Sequence, residues 1–219
     1  MSKIHIVEQG EHLSGIAAQN GFSSFRVIWD HPQNAELKQK RKNPNILFPG
    51  DRLFIPDKEL REESRATDQL HRFEAAREEL QLRVKVLDLT DKPVSGPCFL
   101  VAGGVPNPMA ENDNVFEGFI QSDVKEARME FPDSRPKLKV SLAPGRLDPI
   151  NTPSGQRERL NNLGYFAGYT EGNAEQFEFA VEEFQCDHQK ELGLKKPTGV
   201  CDAKTQALLE KVHGDKLGG

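Results

Sequence analysis

The spacing of apolar positions changes twice along the chain and divides it. At the start, Ile4 and Ile6 alternate with His5 and Val7, the pattern of a short half-buried strand. Leu53 and Ile55 alternate with Phe54 in the same way before Pro56 stops the run. Between these strands Leu13, Ile16 and Ala17 recur at helical spacing up to Gly21, and Phe25, Ile28 and Trp29 repeat the pattern behind Ser23-Ser24. Residues 1–57 are therefore expected to run strand, helix, helix, strand. Asn34 is expected to cap a further helical stretch that ends in the basic cluster Lys38, Lys40, Arg41 and Lys42.

Residues 58–79 are a charged connector, too polar to hold a core, with room for a short helix or for a strand around His71 to Glu74. From Leu80 the period is two. Leu80, Leu82, Val84 and Val86 alternate with polar residues, and Asp91-Lys92-Pro93 and Ser95-Gly96-Pro97 break the chain before Phe99 and Val101. Further strands are expected over 115–121, 125–131 and 138–142, so residues 80–147 are expected to form a small antiparallel β-sandwich. The helical period returns at Asp148. Thr152-Pro153 suits a helix start, Leu160 and Leu163 share a face, and Gly164 suits the stop. A second helix begins at Asn173 and carries Phe177, Ala180, Val181 and Phe184, and a third follows Asp202 with Leu208, Leu209 and Val212 inward. Residues 148–213 form this three-helix domain, and 214–219 are a tail. The predicted fold class is multidomain α+β.

Composition changes the picture mainly by exclusion. With 29 basic and 34 acidic side chains the net charge is −5, and no basic stripe dominates, which argues against nucleic acid as a partner. No apolar run approaches the roughly 20 residues that span a bilayer. Met1-Ser2-Lys3 leads straight into the first strand, so the expectation is synthesis in the bacterial cytoplasm without a signal peptide, with any access to the periplasm or a target cell through a secretion machine. Cys98, Cys186 and Cys201 contain no Cys-x-x-Cys pair, and reduced thiols are expected, a Cys186 to Cys201 disulfide after export being the alternative. The spacing of Cys186, His188, Cys201 and His213 matches no standard zinc site, so neither a metal nor a cofactor is expected. The basic cluster is either a solvated helix end or a contact for an acidic protein or for the carboxylates of a polymer.

Val7, Gly10, Leu13, Ile16 and Ala17, followed by Asn43, Pro44, Asn45, Leu47, Pro49, Gly50, Leu53, Ile55 and Pro56, give residues 1–57 a pattern that resembles the LysM domain. That family binds N-acetylglucosamine-containing glycans such as peptidoglycan and chitin. Where it usually carries Asp-Thr, this chain has Glu11-His12, and its middle from Asp30 to Lys42 is longer. The resemblance implies a βααβ fold with sugar held across two loops. These are Gly10, Glu11, His12 and Leu13, and Asn45, Ile46, Leu47 and Phe48. Phe48 is either an apolar face for a sugar ring or a core residue, and His12 either a polar tip or an ordinary exposed loop histidine.

Gln156-Arg157-Glu158-Arg159-Leu160 through Leu163-Gly164-Tyr165-Phe166-Ala167-Gly168, then Ala180 to Gln185, then Thr198-Gly199-Val200-Cys201-Asp202 with Leu208-Leu209, is similar to the three-helix peptidoglycan-binding domain found on cell-wall hydrolases. The family's Asp-Gly and Phe-Gly signature is absent between Gly168 and Ala180. Tyr165 and Phe166 are the aromatic candidates for wall contact, with core packing the expected role for Phe166. Val84 to Asp88 with Lys92 to Gly96 resembles the opening of immunoglobulin-like spacer domains of bacterial surface proteins. The stretch Ile28 to Leu37 resembles LysM proteins encoded beside type VI secretion spike components.

These resemblances imply a non-catalytic peptidoglycan-binding protein with a binding module at each end, serving as accessory or cargo of a contractile injection machine. One alternative is a structural adaptor that binds protein partners such as spike or effector components. A wall hydrolase is the third class. Its acid and base could come from Glu111, Asp113 and Glu117 in the stretch read as a loop from Gly103 to Gly118; no Gly-x-Ser-x-Gly or His-x-x-Glu-His motif occurs, and no cysteine has a neighbouring histidine beyond Cys186 with His188.

Overall fold

The computed structural model describes residues 2–41, 43–58, 64, 66–72, 79–88, 90, 92–170 and 172–214. Much of the predicted connector, including half of the strand considered at His71 to Glu74, lies outside the described residues, as do Lys42 and residues 215–219 of the predicted tail. The fold is mixed α+β, with antiparallel sheets and, among the described residues, seven α-helices. The chain divides into two compact units, Met1–Lys40 with Pro49–Arg146, and Arg41–Phe48 with Leu147–Gly219. The first unit thus holds both the leading strand-helix segment and the later strands.

In the first unit β1 (Lys3–Ile6) pairs antiparallel with β2 (Arg52–Ile55). Helices α1 (Leu13–Gln19), α2 (Arg26–Trp29) and α3 (Ala35–Lys40) lie between them in sequence, with a 3-10 turn at Pro32–Asn34. The register overturns one expectation. Directly opposed residues of a ladder share a face, so His5 and Lys3 lie on the side of Leu53 and Ile55, which are buried. Ile4 and Ile6 lie with Phe54 and Arg52 on the other side, 47% and 50% exposed. The buried member of the alternation is Val7, 2% exposed, whose N–H donates to the Asp51 carbonyl at 2.9 Å. A period of two defines two faces and does not say which faces the core; Val7 decides it.

Asn34 is the polar centre of this segment. It is 1% exposed, and its side chain does not cap α3 as its position suggests. Its Nδ2 donates to the carbonyls of Ile28 and Phe54, both at 2.8 Å, and its Oδ1 accepts from the Phe54 N–H at 2.8 Å. The amide therefore acts as a third strand one residue wide, satisfying β2 at Phe54 and tying α2 to it.

The remaining strands of the unit form two antiparallel sheets. One has the order β3-β7-β6, from β3 (Glu79–Val84), β6 (Ala110–Asn112) and β7 (Val115–Gln121). The other has the order β5-β4-β8-β9, from β4 (Phe99–Ala102), β5 (Val105–Pro108), β8 (Ala127–Phe131) and β9 (Leu138–Leu142). Both contribute to one core of Leu100, Met109, Phe116, Ile120, Met129 and Phe131. Gly118 permits this packing, since a Cβ there would stand 3.2 Å from Met109 and 3.3 Å from Leu100. Two hairpins turn on paired residues with positive φ, Gly103-Gly104 and Asp113-Asn114, as two-residue turns of the primed type require. The Gly103 to Gly118 stretch, read as a loop, is thus mostly strand.

The second unit contains α4 (Pro153–Asn162), α5 (Ala174–Asp187), α6 (Gln189–Leu192) and α7 (Ala203–His213). Thr152 accepts from the Gly155 N–H at 3.0 Å and Asp202 from the Thr205 N–H at 2.8 Å, capping α4 and α7. Leu160, Ala180, Val181, Phe184 and Leu209 form the core. Val212, expected inward, is 39% exposed. Gln185 is 1% exposed and closes the unit, its Oε1 accepting from the Thr198 N–H at 2.7 Å and its Nε2 donating to the Val200 carbonyl at 2.9 Å.

Replacement of Asn34 by Ala leaves the part-buried Phe54 backbone groups without these partners and is expected to destabilise the first unit by about 3 kcal/mol. Urea unfolding followed by circular dichroism measures this. A change below about 0.5 kcal/mol would show that water replaces the amide and that the staple is dispensable.

Candidate functional site

The loop Gly10, Glu11, His12 and Leu13 leads into α1. Leu13 is fully enclosed and His12 is 5% exposed, so both side chains are almost wholly withdrawn from solvent. His12 is the N-cap of α1. Its Nδ1 accepts from the Gly15 N–H at 3.3 Å. The ring sits in a slot between two glycines. A Cβ at Gly15 would stand 3.2 Å from Nε2, and one at Gly145, where φ is +80°, 2.5 Å from Cδ2. His12 is therefore not the exposed loop histidine expected as the alternative to a sugar contact. Glu11 is also engaged, receiving the His5 Nε2 at 2.7 Å and the Glu8 N–H at 2.8 Å. A shallow depression beside this loop is lined in part by Gly10, Glu11, His12, Gln19, Asp123 and Lys125.

Asn45, Ile46, Leu47 and Phe48 belong to the second unit, whereas the first loop belongs to the other. Asn43 shapes the stretch by accepting the Asn45 N–H on its side chain at 2.9 Å and the Ile46 N–H on its carbonyl at 3.2 Å. Leu47 is 3% exposed. Asn45, Ile46 and Phe48 are half-buried, and the Arg41 guanidinium stands 5.6 Å from the Phe48 ring centre. Within the basic cluster, Lys38 pairs with Asp30 at 2.6 Å and Lys40 with Asp51 at 3.3 Å, while Arg41 is buried. Of the three carboxylates considered for acid and base roles, Glu117 pairs with Arg83 at 2.9 Å and Glu111 accepts the Gly96 N–H at 3.0 Å. Asp113 occupies the β6–β7 turn.

The most exposed aromatic chemistry of the second unit lies on the segment between α4 and α5. Tyr165 packs edge-on against Phe184, with ring centres 5.5 Å apart, and its hydroxyl donates to Asp187 Oδ2 at 2.9 Å. Phe166 was expected in the core and is 59% exposed instead. It meets Tyr169, itself 83% exposed, with ring centres 5.6 Å apart at 75°. The backbone beneath this pair is firmly held. Asn161 accepts the Ala167 N–H at 2.8 Å and donates to the Gly168 carbonyl at 2.9 Å, and Arg157 donates to the Ala167 carbonyl. Asn173 Oδ1 accepts from the N–H groups of Tyr169 at 3.3 Å and Thr170 at 3.2 Å. At Gly168 φ is +71°, and a Cβ would stand 2.7 Å from Asn173 Cγ, so only glycine fits. Tyr169 was missed because its neighbours read as a polar replacement loop; the signal available was a tyrosine directly after a glycine, with Asn173 four residues on.

Beneath the start of α4, Glu158 Oε2 accepts the Asp148 N–H at 2.7 Å. Burial pushes the Glu158 carboxyl up to about 7, the Asp148 charge adds to this, and the Asp148 N–H and the Arg159 charge oppose it. Arg159, completely buried, donates to the Asp148 and Gly155 carbonyls, both at 2.7 Å. The three cysteines are free thiols. Among the described residues no group of three or more His, Cys, Asp or Glu side chains is placed to hold a metal ion, and no helix is long and apolar enough to cross a membrane. No family model, no curated protein and no solved structure matches the chain.

Gly145→Ala meets both an unfavourable φ and the His12 ring, whereas Gly50→Ala, at φ +90°, meets nothing within 4 Å. Gly145→Ala is expected to cost about 2 kcal/mol more than Gly50→Ala in urea unfolding. Equal losses would mean that the ring yields freely and the slot is not specific. A second expectation concerns pH. The folded Glu158 carboxyl lies above its ordinary value of 4.5, so its contribution is fully present below pH 4.5 and is lost as pH rises through about 7. Relative to Glu158→Gln, the natural chain should lose about 1 kcal/mol across that window, after discounting for partial exposure. Parallel stability curves for the two proteins would remove the effect.

Proposed function

We propose that the chain is a non-catalytic peptidoglycan-binding protein, with a LysM-like N-terminal segment, an immunoglobulin-like strand region and a three-helix wall-binding module at its C-terminal end. What supports this reading most is the Phe166–Tyr169 pair, two exposed rings on a backbone fixed by Asn161, Arg157 and Asn173. Aromatic rings so placed offer apolar faces to the C–H face of an N-acetylhexosamine ring, and the ordered backbone lowers the entropy cost of presenting them. The helical module is on this reading the principal contact with the glycan. The chain is on the same reading an accessory or cargo of a contractile injection machine, which rests on the likeness of Ile28 to Leu37 to spike-associated LysM proteins.

A protein-binding adaptor is the second reading. The burial of His12 and Leu13 favours it, since it withdraws from the first loop the side chains that a sugar would use.

Co-sedimentation of the full chain with insoluble peptidoglycan tests the proposal. The natural chain is expected to pellet without releasing soluble fragments, and the double variant Phe166→Ala, Tyr169→Ala to bind roughly tenfold more weakly while remaining folded. If the natural chain stays in the supernatant, wall binding is refuted and the adaptor reading stands. If the double variant pellets like the natural chain, the aromatic pair is not the contact.

A further inference from the structure

Helix α5 has one face that its own unit does not use. Phe177, Ala180, Val181 and Phe184 turn toward the core. At 100° per residue Glu175, Phe179, Glu182 and Cys186 fall on one line on the opposite side, with Glu178 and Glu183 flanking it. Phe179 is 57% exposed in the middle of this line. Glu175, Glu178, Glu183 and Cys186 are exposed and Glu182 is half-exposed. None of the four glutamate side chains makes an ion pair or hydrogen bond with another described residue. Glu178 lies over Gly199, where a Cβ would stand 3.2 Å from its Oε1, which brings Val200, 62% exposed, to the edge of the same face.

A singly exposed phenylalanine is ordinary. Here it stands among four carboxylates on one helix, and like charges such as Glu178 and Glu182, four residues apart, oppose the helix that carries them. A cationic partner relieves that repulsion while covering the ring. An anionic polymer, whether nucleic acid or the carboxylates of peptidoglycan, is repelled by the same charges. We propose that this face of α5 docks a basic segment of another protein, with an apolar side chain packed on Phe179 and Lys or Arg side chains against the flanking glutamates. The proposal goes beyond wall binding and does not depend on it.

The test is fluorescence anisotropy of the full chain with a labelled peptide of leucines and lysines at helical spacing. An oligolysine and a leucine-glutamate peptide of the same length serve as comparisons. The leucine-lysine peptide is expected to bind, with an affinity that falls as salt is raised. Phe179→Ser, and separately Glu178→Gln with Glu182→Gln, are each expected to weaken it about fivefold or more, and the glutamate pair to flatten the salt dependence. Asp123→Asn, an exposed acid of the first unit, should change neither. Circular dichroism establishes that Phe179→Ser is folded, and its pelleting with peptidoglycan should match that of the natural chain, which keeps the two surfaces separate. The proposal is overturned if Phe179→Ser binds the peptide like the natural chain, or if oligolysine binds as well as the leucine-lysine peptide. It is also overturned if sedimentation velocity shows a dimer of the natural chain that Phe179→Ser dissolves, because a second copy is then the occupant.

Discussion

Among the described residues, too little of the chain lies in long regular elements for its backbone to satisfy itself, and side-chain amides and guanidinium groups, buried or half-buried, do the rest. An unmet backbone donor or acceptor away from water costs about as much as several well-made contacts contribute. Helix α2 has four residues, α6 has four, and β1 and β2 have four each. Asn34 serves Ile28 and Phe54, Gln185 serves residues 198–200, and Asn161, Arg157 and Asn173 serve 167–170. Each of these side chains is specific in a way that an apolar contact is not, because a bidentate amide accepts only one placement of the strand or loop that it meets.

That constraint also explains what was legible in the sequence. Strands β7 and β9 and the starts of α4 and α7 follow from local alternation and local capping chemistry, and they lie where the pattern put them. Strands β5 and β6 do not follow from pattern. All their residues are exposed, Pro106 and Pro108 lie within β5, and each forms the outer edge of its sheet. An edge strand with two prolines has neither the composition nor the burial that alternation detects. The inversion at Ile4 and Ile6 has a different cause. Two apolar residues and one buried valine of opposite parity compete for the inner face, and the pairing of Val7 with Asp51 settles the contest through a partner 44 residues away in the chain.

Among the candidate site residues the same division holds. Position alone identified Tyr165 and Phe166 as neighbouring aromatics, yet which one faces solvent was decided by Phe184 and Asp187, brought in from α5. Likewise His12 has the composition of a loop histidine, and the approach of Gly145 opposite Gly15 encloses it as a cap. Local sequence names the side chains available to a site; long-range packing decides which of them a ligand can reach.

The second unit therefore presents chemistry of two kinds. On the proposed reading the Phe166–Tyr169 pair suits an uncharged sugar face, for which shape and stacking matter more than charge. The α5 face suits the opposite, a ring whose partner must first neutralise four carboxylates. Peptidoglycan carries carboxylates of its own on its stem peptides, so the same polymer that the aromatic pair would hold is disfavoured along α5. If both proposals hold, charge sorts the wall polymer from the basic segment before any contact is made. On the proposed reading, a chain that holds a wall polymer and a protein partner at once needs such a separation, because a single mixed surface would let each partner displace the other.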